Sequence, residues 1–150
     1  MDLAPDFREF CASLNVHGVE FVVVGAHALA LHGVPRFTGD LDLLVRPTAD
    51  NGERLLRAIE AFGFPIGSLT PADIVDGRRM IEMGVPPVQI HVMSQIDGVT
   101  WEEVWSDRHV ISIDTEEIPF IGRDAFIRNK RASGRLKDLA DIDALRDPGD

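Results

Sequence analysis

The chain has 150 residues, enough for one domain with a sizeable apolar core and no need of disulfide staples. Apolar residues make up 45% and charged residues 27%, a balance that excludes intrinsic disorder. With 15 basic and 25 acidic residues the net charge is −10, which excludes a protein that coats nucleic acid non-specifically, because phosphate neutralisation needs a basic surface.

The opening MDLAPDFREF lacks a basic start followed by an apolar run, so no secretory signal is expected. Pro5 to Leu14 predicts a short helix with Phe7, Phe10, Cys11 and Leu14 on one face. Cys11 is the single cysteine; it has no internal disulfide partner, suits a reducing cytoplasmic setting and reads as a small buried hydrophobe. Val19 to Val24 is an apolar, β-branched strand that stops at Gly25. Ala26 to Leu31 is a helix closing at His32-Gly33-Val34-Pro35, with His32 expected to cap or pack. The whole run FVVVGAHALALHGV is interrupted by Gly25, His27 and His32 and is too short to span a bilayer, so no membrane partner is expected.

Leu41 to Val45 predicts a second strand, ended by Pro47. Asn51 to Phe62 predicts a helix that buries Leu55, Leu56, Ile59 and Phe62 and ends at Gly63. Pro65 to Asp76 reads as loop with a turn of helix from Pro71. Arg79 to Met83 and Val88 to Met93 read as a strand pair around Gly84-Val85-Pro86-Pro87. Trp101 to Trp105 is a short helix whose two indoles, one turn apart, belong to the core. His109 to Ile113 and Ile118 to Ile121 are strands, and Asp124 to Arg131 and Arg135 to Leu145 are helices separated by Ser133-Gly134. Strands and helices mixed along one chain predict a single α/β (α+β) domain over residues 1–150 with one layered core.

Asp40-Leu41-Asp42 carries the most chemistry. On a strand, alternate side chains share a face, so both carboxylates point one way while Leu41 points into the core. Such a pair either edges a solvent-facing strand or shares a hard divalent cation, which takes oxygen ligands. Upstream, the FVVVG strand runs into Gly25-Ala26 and a helix, a turn that offers backbone N–H groups to a phosphate or that needs glycine for geometry alone.

Taken together, FVVVGAHALALHGVPRFTGDLDLLV resembles the nucleotidyltransferase superfamily that includes polymerase beta, and more narrowly the small AbiEii/MNT-type branch linked to bacterial toxin–antitoxin systems. The tail IRNKRASGRLKDLADIDAL is similar to the same branch through its K-x-x-x-G-R-x-K-D-x-x-D pattern. The resemblance implies a mixed central sheet with flanking helices, a nucleoside triphosphate as substrate, and Mg²⁺ or Mn²⁺ held by Asp40 and Asp42. It places the third acid of the site on the strand within VQIHVMSQIDGV, where this chain has His91, with neutral Gln89 on the same face. His91 is thus a candidate metal ligand or base, or a strand histidine hydrogen-bonded in a polar cleft. A neutral imidazole adds no negative charge and favours Mn²⁺ or Zn²⁺ over Mg²⁺. Ala26 stands where the family has a serine hydroxyl for a terminal phosphate, leaving only backbone there.

Arg123, Arg128, Lys130, Arg131, Arg135 and Lys137 crowd a stretch that holds one acid, Asp124, and both lysines of the chain. The cluster is either a seat for a triphosphate or an RNA backbone, or two amphipathic helices with solvated basic faces. Arg36 and Thr38, just before Asp40, are further candidates for phosphate contact. The expected function is metal-dependent transfer of a nucleotidyl group to a hydroxyl on RNA or protein, with the lysines neutralising phosphate. The alternative is a catalytically weak or inactive member that serves as antitoxin or regulatory binding module, with a partner toxin or antitoxin protein or a second copy of the chain. A metal-dependent hydrolase comes third.

Overall fold

The computed structural model describes residues 3–34, 39–85 and 88–145. Six strands and seven helices follow one another as α1 (Pro5–Val16), β1 (Phe21–Val24), α2 (Gly25–Leu31), β2 (Leu41–Val45), α3 (Ala49–Phe62), α4 (Pro71–Asp76), β3 (Ile81–Val85), β4 (Val88–Met93), α5 (Trp101–Asp107), β5 (His109–Ile113), β6 (Glu116–Phe120), α6 (Arg123–Ser133) and α7 (Leu136–Leu145). The mixed α/β architecture and the central mixed sheet are as the sequence led one to expect. The strands lie in the order β3-β4-β2-β1-β6-β5. β1 runs antiparallel to β2 and parallel to β6, and β2 runs parallel to β4. Antiparallel hairpins β3–β4 and β5–β6 close the two edges.

The central strands are apolar because they are covered on both faces: all of Phe21–Val24, and all of β2 except Asp42, is buried. α1 packs on α3 and against β6, while α2 lies on β1 and β2. Phe10 meets Phe62 edge-on at 5.2 Å, and Cys11 is buried, its thiol pushed up to about 12 by that burial, as suits an inert core residue. The two indoles stack at 5.2 Å and Trp101 is buried, in line with a core role. His32 packs as anticipated, with Nε2 2.7 Å from the carbonyl of Ile121. No helix among the described residues is long and apolar enough to cross a membrane.

Several boundaries move for local reasons. β1 begins at Phe21 rather than Val19, because the Val19 N–H turns back to the Leu14 carbonyl at 2.9 Å. α3 begins at Ala49 because Thr48 is its cap, accepting the Asn51 N–H at 3.2 Å. Asn51 is therefore inside the helix, fully buried, and its amide bonds Glu20 and Arg46 backbone, tying the open ends of β1 and β2 together. Gly84 and Val85, read as turn, are strand residues opposite Gln89 and Val88; Pro86 and Pro87 lie outside the described residues. β6 starts at Glu116, since the hairpin turns at Asp114, which takes the left-handed φ of 56°.

Candidate active site

The register of the central strands assembles the site. Val24, the last residue of β1, stands opposite Asp42 on β2, and Asp42 in turn stands beside His91 on β4. The chain leaves β1 at Gly25, whose φ of +73° favours glycine, and turns into α2 over the Asp42 carboxylate. A Cβ at Gly25 would collide with Asp42 Oδ2 and stand 2.9 Å from Cγ. Gly25→Ala is thus expected to cost about 1–2 kcal/mol for the left-handed backbone alone. It should also displace the carboxylate, and a thermal melt together with cation calorimetry checks both effects.

His91 Nδ1 lies 2.9 Å from Asp42 Oδ1, where the N–H donates to the carboxylate. Its Nε2 lies 3.2 Å from Gln89 Oε1, so both ring nitrogens are engaged within the site. The Gln89 backbone N–H donates to Asp40 Oδ1 at 3.1 Å. Burial pushes the Asp42 carboxyl above its ordinary range, with the His91 hydrogen bond pulling against it and the Asp40 charge adding to it.

Gly25, Ala26, Asp40, Asp42, His91, Lys130 and Lys137 all line one cleft of about 380 Å³, together with Arg135, Asp138 and Asp141. Seven residues expected from sequence to form a site thus come together. Arg36 and Thr38 lie outside the described residues. A second cleft of about 460 Å³ adjoins the first through Gly25, Asp42, Lys130, Arg135 and Asp138.

The basic cluster is not the exposed surface that a charge count suggests. Lys130 is buried, with Nζ 3.3 Å from Asp138 Oδ1, 3.1 Å from Asp141 Oδ2 and 4.8 Å above the Phe126 ring. Asp138 Oδ2 accepts from Ser133 Oγ and Arg135 Nε, both at 2.6 Å. Burial alone would raise the Asp138 carboxyl, but these bonds and the lysine charge bring it down to about 2. Burial pulls the Lys130 ammonium below its usual value. The K-x-x-x-G-R-x-K-D-x-x-D pattern therefore closes α6 on α7 across Gly134, whose φ is 68°. Arg131, Arg135 and Lys137 remain exposed.

His27 is the residue that sequence reasoning passed over. It sits in the first turn of α2, edge-on to Phe7 at 5.6 Å, with Nδ1 buried and unpartnered among the described residues. Burial lowers its pKa against the pull of the Asp42 and Asp40 charges and a hydrogen bond to the Asp40 backbone. Its position two residues beyond Gly25 was the available signal.

Among the described residues no three His, Cys, Asp or Glu side chains are arranged to enclose a metal ion. The pair of carboxylates fits the other mode, since Mg²⁺ is commonly held by one or two carboxylates plus substrate phosphates. The donor set thus suits a cation that arrives with a triphosphate, not a closed protein cage.

No protein-family model matches the sequence, and no curated protein does. Solved structures match over nearly the whole chain. A Thermotoga maritima protein provisionally assigned as a nucleotidyltransferase superposes with a TM-score of 0.59 at 16% identity, over 97% of this chain and 93% of its own. The lincosamide antibiotic adenylyltransferase LnuA, with lincomycin bound, gives 0.60 at 12% identity over 97% of each chain. At these identities the likeness concerns architecture alone, and on that ground the chain has the nucleotidyltransferase fold.

Proposed function

We propose that this protein transfers a nucleotidyl group from a nucleoside triphosphate to a hydroxyl acceptor. The observation that carries the reading is the convergence of Asp40, Asp42 and the Gly25 turn in one cleft of a nucleotidyltransferase fold. Asp40 and Asp42 would hold Mg²⁺ or Mn²⁺, which when bound neutralises phosphate charge during an in-line displacement. Gly25 admits a phosphate close to the backbone, and Arg135 and Lys137 supply positive charge at the cleft wall. His91 orients the Asp42 carboxylate through its Nδ1–H. Lys130 builds the wall through its two aspartates and keeps a cation within reach of the cleft.

The narrower reading, an AbiEii/MNT-type member of a toxin–antitoxin pair acting in the cytoplasm on RNA or protein, rests on the tail pattern. One observation favours a binding module instead: both His91 nitrogens are engaged, and no third carboxylate joins the pair. Incubation with labelled triphosphates, Mg²⁺ or Mn²⁺, and total RNA or cell lysate decides between them. Label transfer with pyrophosphate release is the expected result. Stabilisation by triphosphate and cation without transfer favours the module, and neither effect sinks both readings.

A further inference from the structure

A third cleft, of about 560 Å³, lies beyond the candidate active site at the ends of β2 and β4. It shares Gln95, Ile96 and Asp97 with the second cleft, which in turn holds Asp42. Leu44 on its wall is two residues along β2 from Asp42, a strand rise of about 7 Å.

Two features of this cleft are independent of each other. Ser94 and Trp101 line it, both more than nine-tenths buried, and neither Ser94 Oγ nor Trp101 Nε1 has a hydrogen-bond partner among the described residues. Buried donors left unpaired are rare and costly, and two in one cleft wall call for an acceptor from outside the chain. The remaining charge is all of one sign: Asp76, Asp97, Glu102 and Glu103 line the cleft, and no lysine, arginine or histidine does. Arg78 engages Asp76 at 2.9 Å and Arg128 engages Glu103 at 2.7 Å, which leaves exposed Asp97 and Glu102 to face an incoming cation. Such a wall repels a polyanion.

We propose that this cleft seats the acceptor, and that the acceptor is a small hydroxylated amine of the amino-sugar type. Its ammonium meets Asp97 and Glu102, and its oxygens accept from Ser94 and Trp101. A free hydroxyl then extends through the shared Gln95–Asp97 wall toward Asp42. The assignment rests on the nucleotidyl-transfer reading. In the reaction the acceptor oxygen forms a bond to the α-phosphorus of the triphosphate, and the bond from that phosphorus to the bridging oxygen breaks. Pyrophosphate leaves with the electron pair, and the hydroxyl proton passes to solvent.

The test separates seat from chemistry. Both tryptophans of the chain lie in or beside this cleft, so glucosamine binding is read by their fluorescence without nucleotide. Glucosamine is expected to shift the emission, with glucose about tenfold weaker for want of the charge-assisted contact. Asp97→Asn with Glu102→Gln should weaken glucosamine by a similar factor. Ser94→Ala should weaken it too while leaving Tm unchanged, because the hydroxyl it removes is unpaired in the free protein. No fluorescence change with glucosamine, or equal binding of glucose and glucosamine, overturns the seat. With ATP and Mg²⁺ added, glucosamine-dependent pyrophosphate release supports the acceptor role. Its absence, in protein that still labels another acceptor, overturns that role and leaves nucleotidyl transfer standing. Glucosamine binding in protein that binds no triphosphate sinks the transfer reading instead, and the acceptor role with it.

Discussion

Lys130→Ala is expected to lower stability by about 3–5 kcal/mol, because it strands two buried carboxylates without their cation. For a chain of this size that is a fall of about 10 °C or more in Tm. Lys130→Met restores the stem over Phe126 but not the charge, so it should recover little. Adding Asp138→Asn and Asp141→Asn to Lys130→Met should recover most of the loss, since a buried ion network replaced as a unit is often close to neutral. The network also predicts an acid limb. Asp138 falls from an ordinary 3.8 to about 2 in the folded chain, so the unfolded chain binds its proton first as pH drops. That contribution is complete above the ordinary carboxyl value and is lost as pH falls through it toward about 2. Melts of the parent and Asp138→Asn should therefore converge in acid. Equal melting of the parent and Lys130→Ala at neutral pH would show the lysine to be solvated.

The contrast between this network and the Asp40–Asp42 pair shows what a sequence makes legible. Strand alternation is local, so Asp40 and Asp42 could be placed together without knowing what lay beside them. β2 was recognisable end for end, because a continuous apolar run broken only by Asp42 has few other readings. Lys130 was different. Helical periodicity assigns charged residues outward, and nothing local reveals that Asp138 and Asp141 fold back over it. Only the left-handed turn at Gly134 brings partners eight and eleven positions away within reach. Asn51 misled in a similar way: it looks like a helix start, but Thr48 takes that place and the buried amide serves β1 and β2. The unpaired Ser94 and Trp101 leave no trace in sequence at all, because an absent partner is a property of the assembled cleft.

Asp42→Asn, alone or with Asp40→Asn, is expected to abolish cation binding and lower transfer by about a thousandfold or more, since several kcal/mol of phosphate charge stabilisation is lost. The fold should survive and gain slightly, by about 1 kcal/mol at neutral pH, because two like charges then no longer share a strand end. Asparagine keeps an oxygen for the His91 Nδ1–H, so the cross-strand bond between β2 and β4 persists. The pH dependence fixes the sign. Burial raises the Asp42 carboxyl, so between its ordinary value and its raised one the folded chain holds the proton while the unfolded chain has released it. Stability contributed by this group is complete below the ordinary value, falls as pH rises through that window, and stays reduced above it. The gain from Asp42→Asn should accordingly be absent in acid and appear on moving toward neutral pH, the reverse of the Asp138 limb. Calorimetric titration with Mg²⁺ and Mn²⁺ in the presence of triphosphate, beside melts across pH, reads both effects. Unchanged cation affinity in the variant would remove Asp42 from the site, and a neutral-pH melt below the parent's would show that its charge supports the fold.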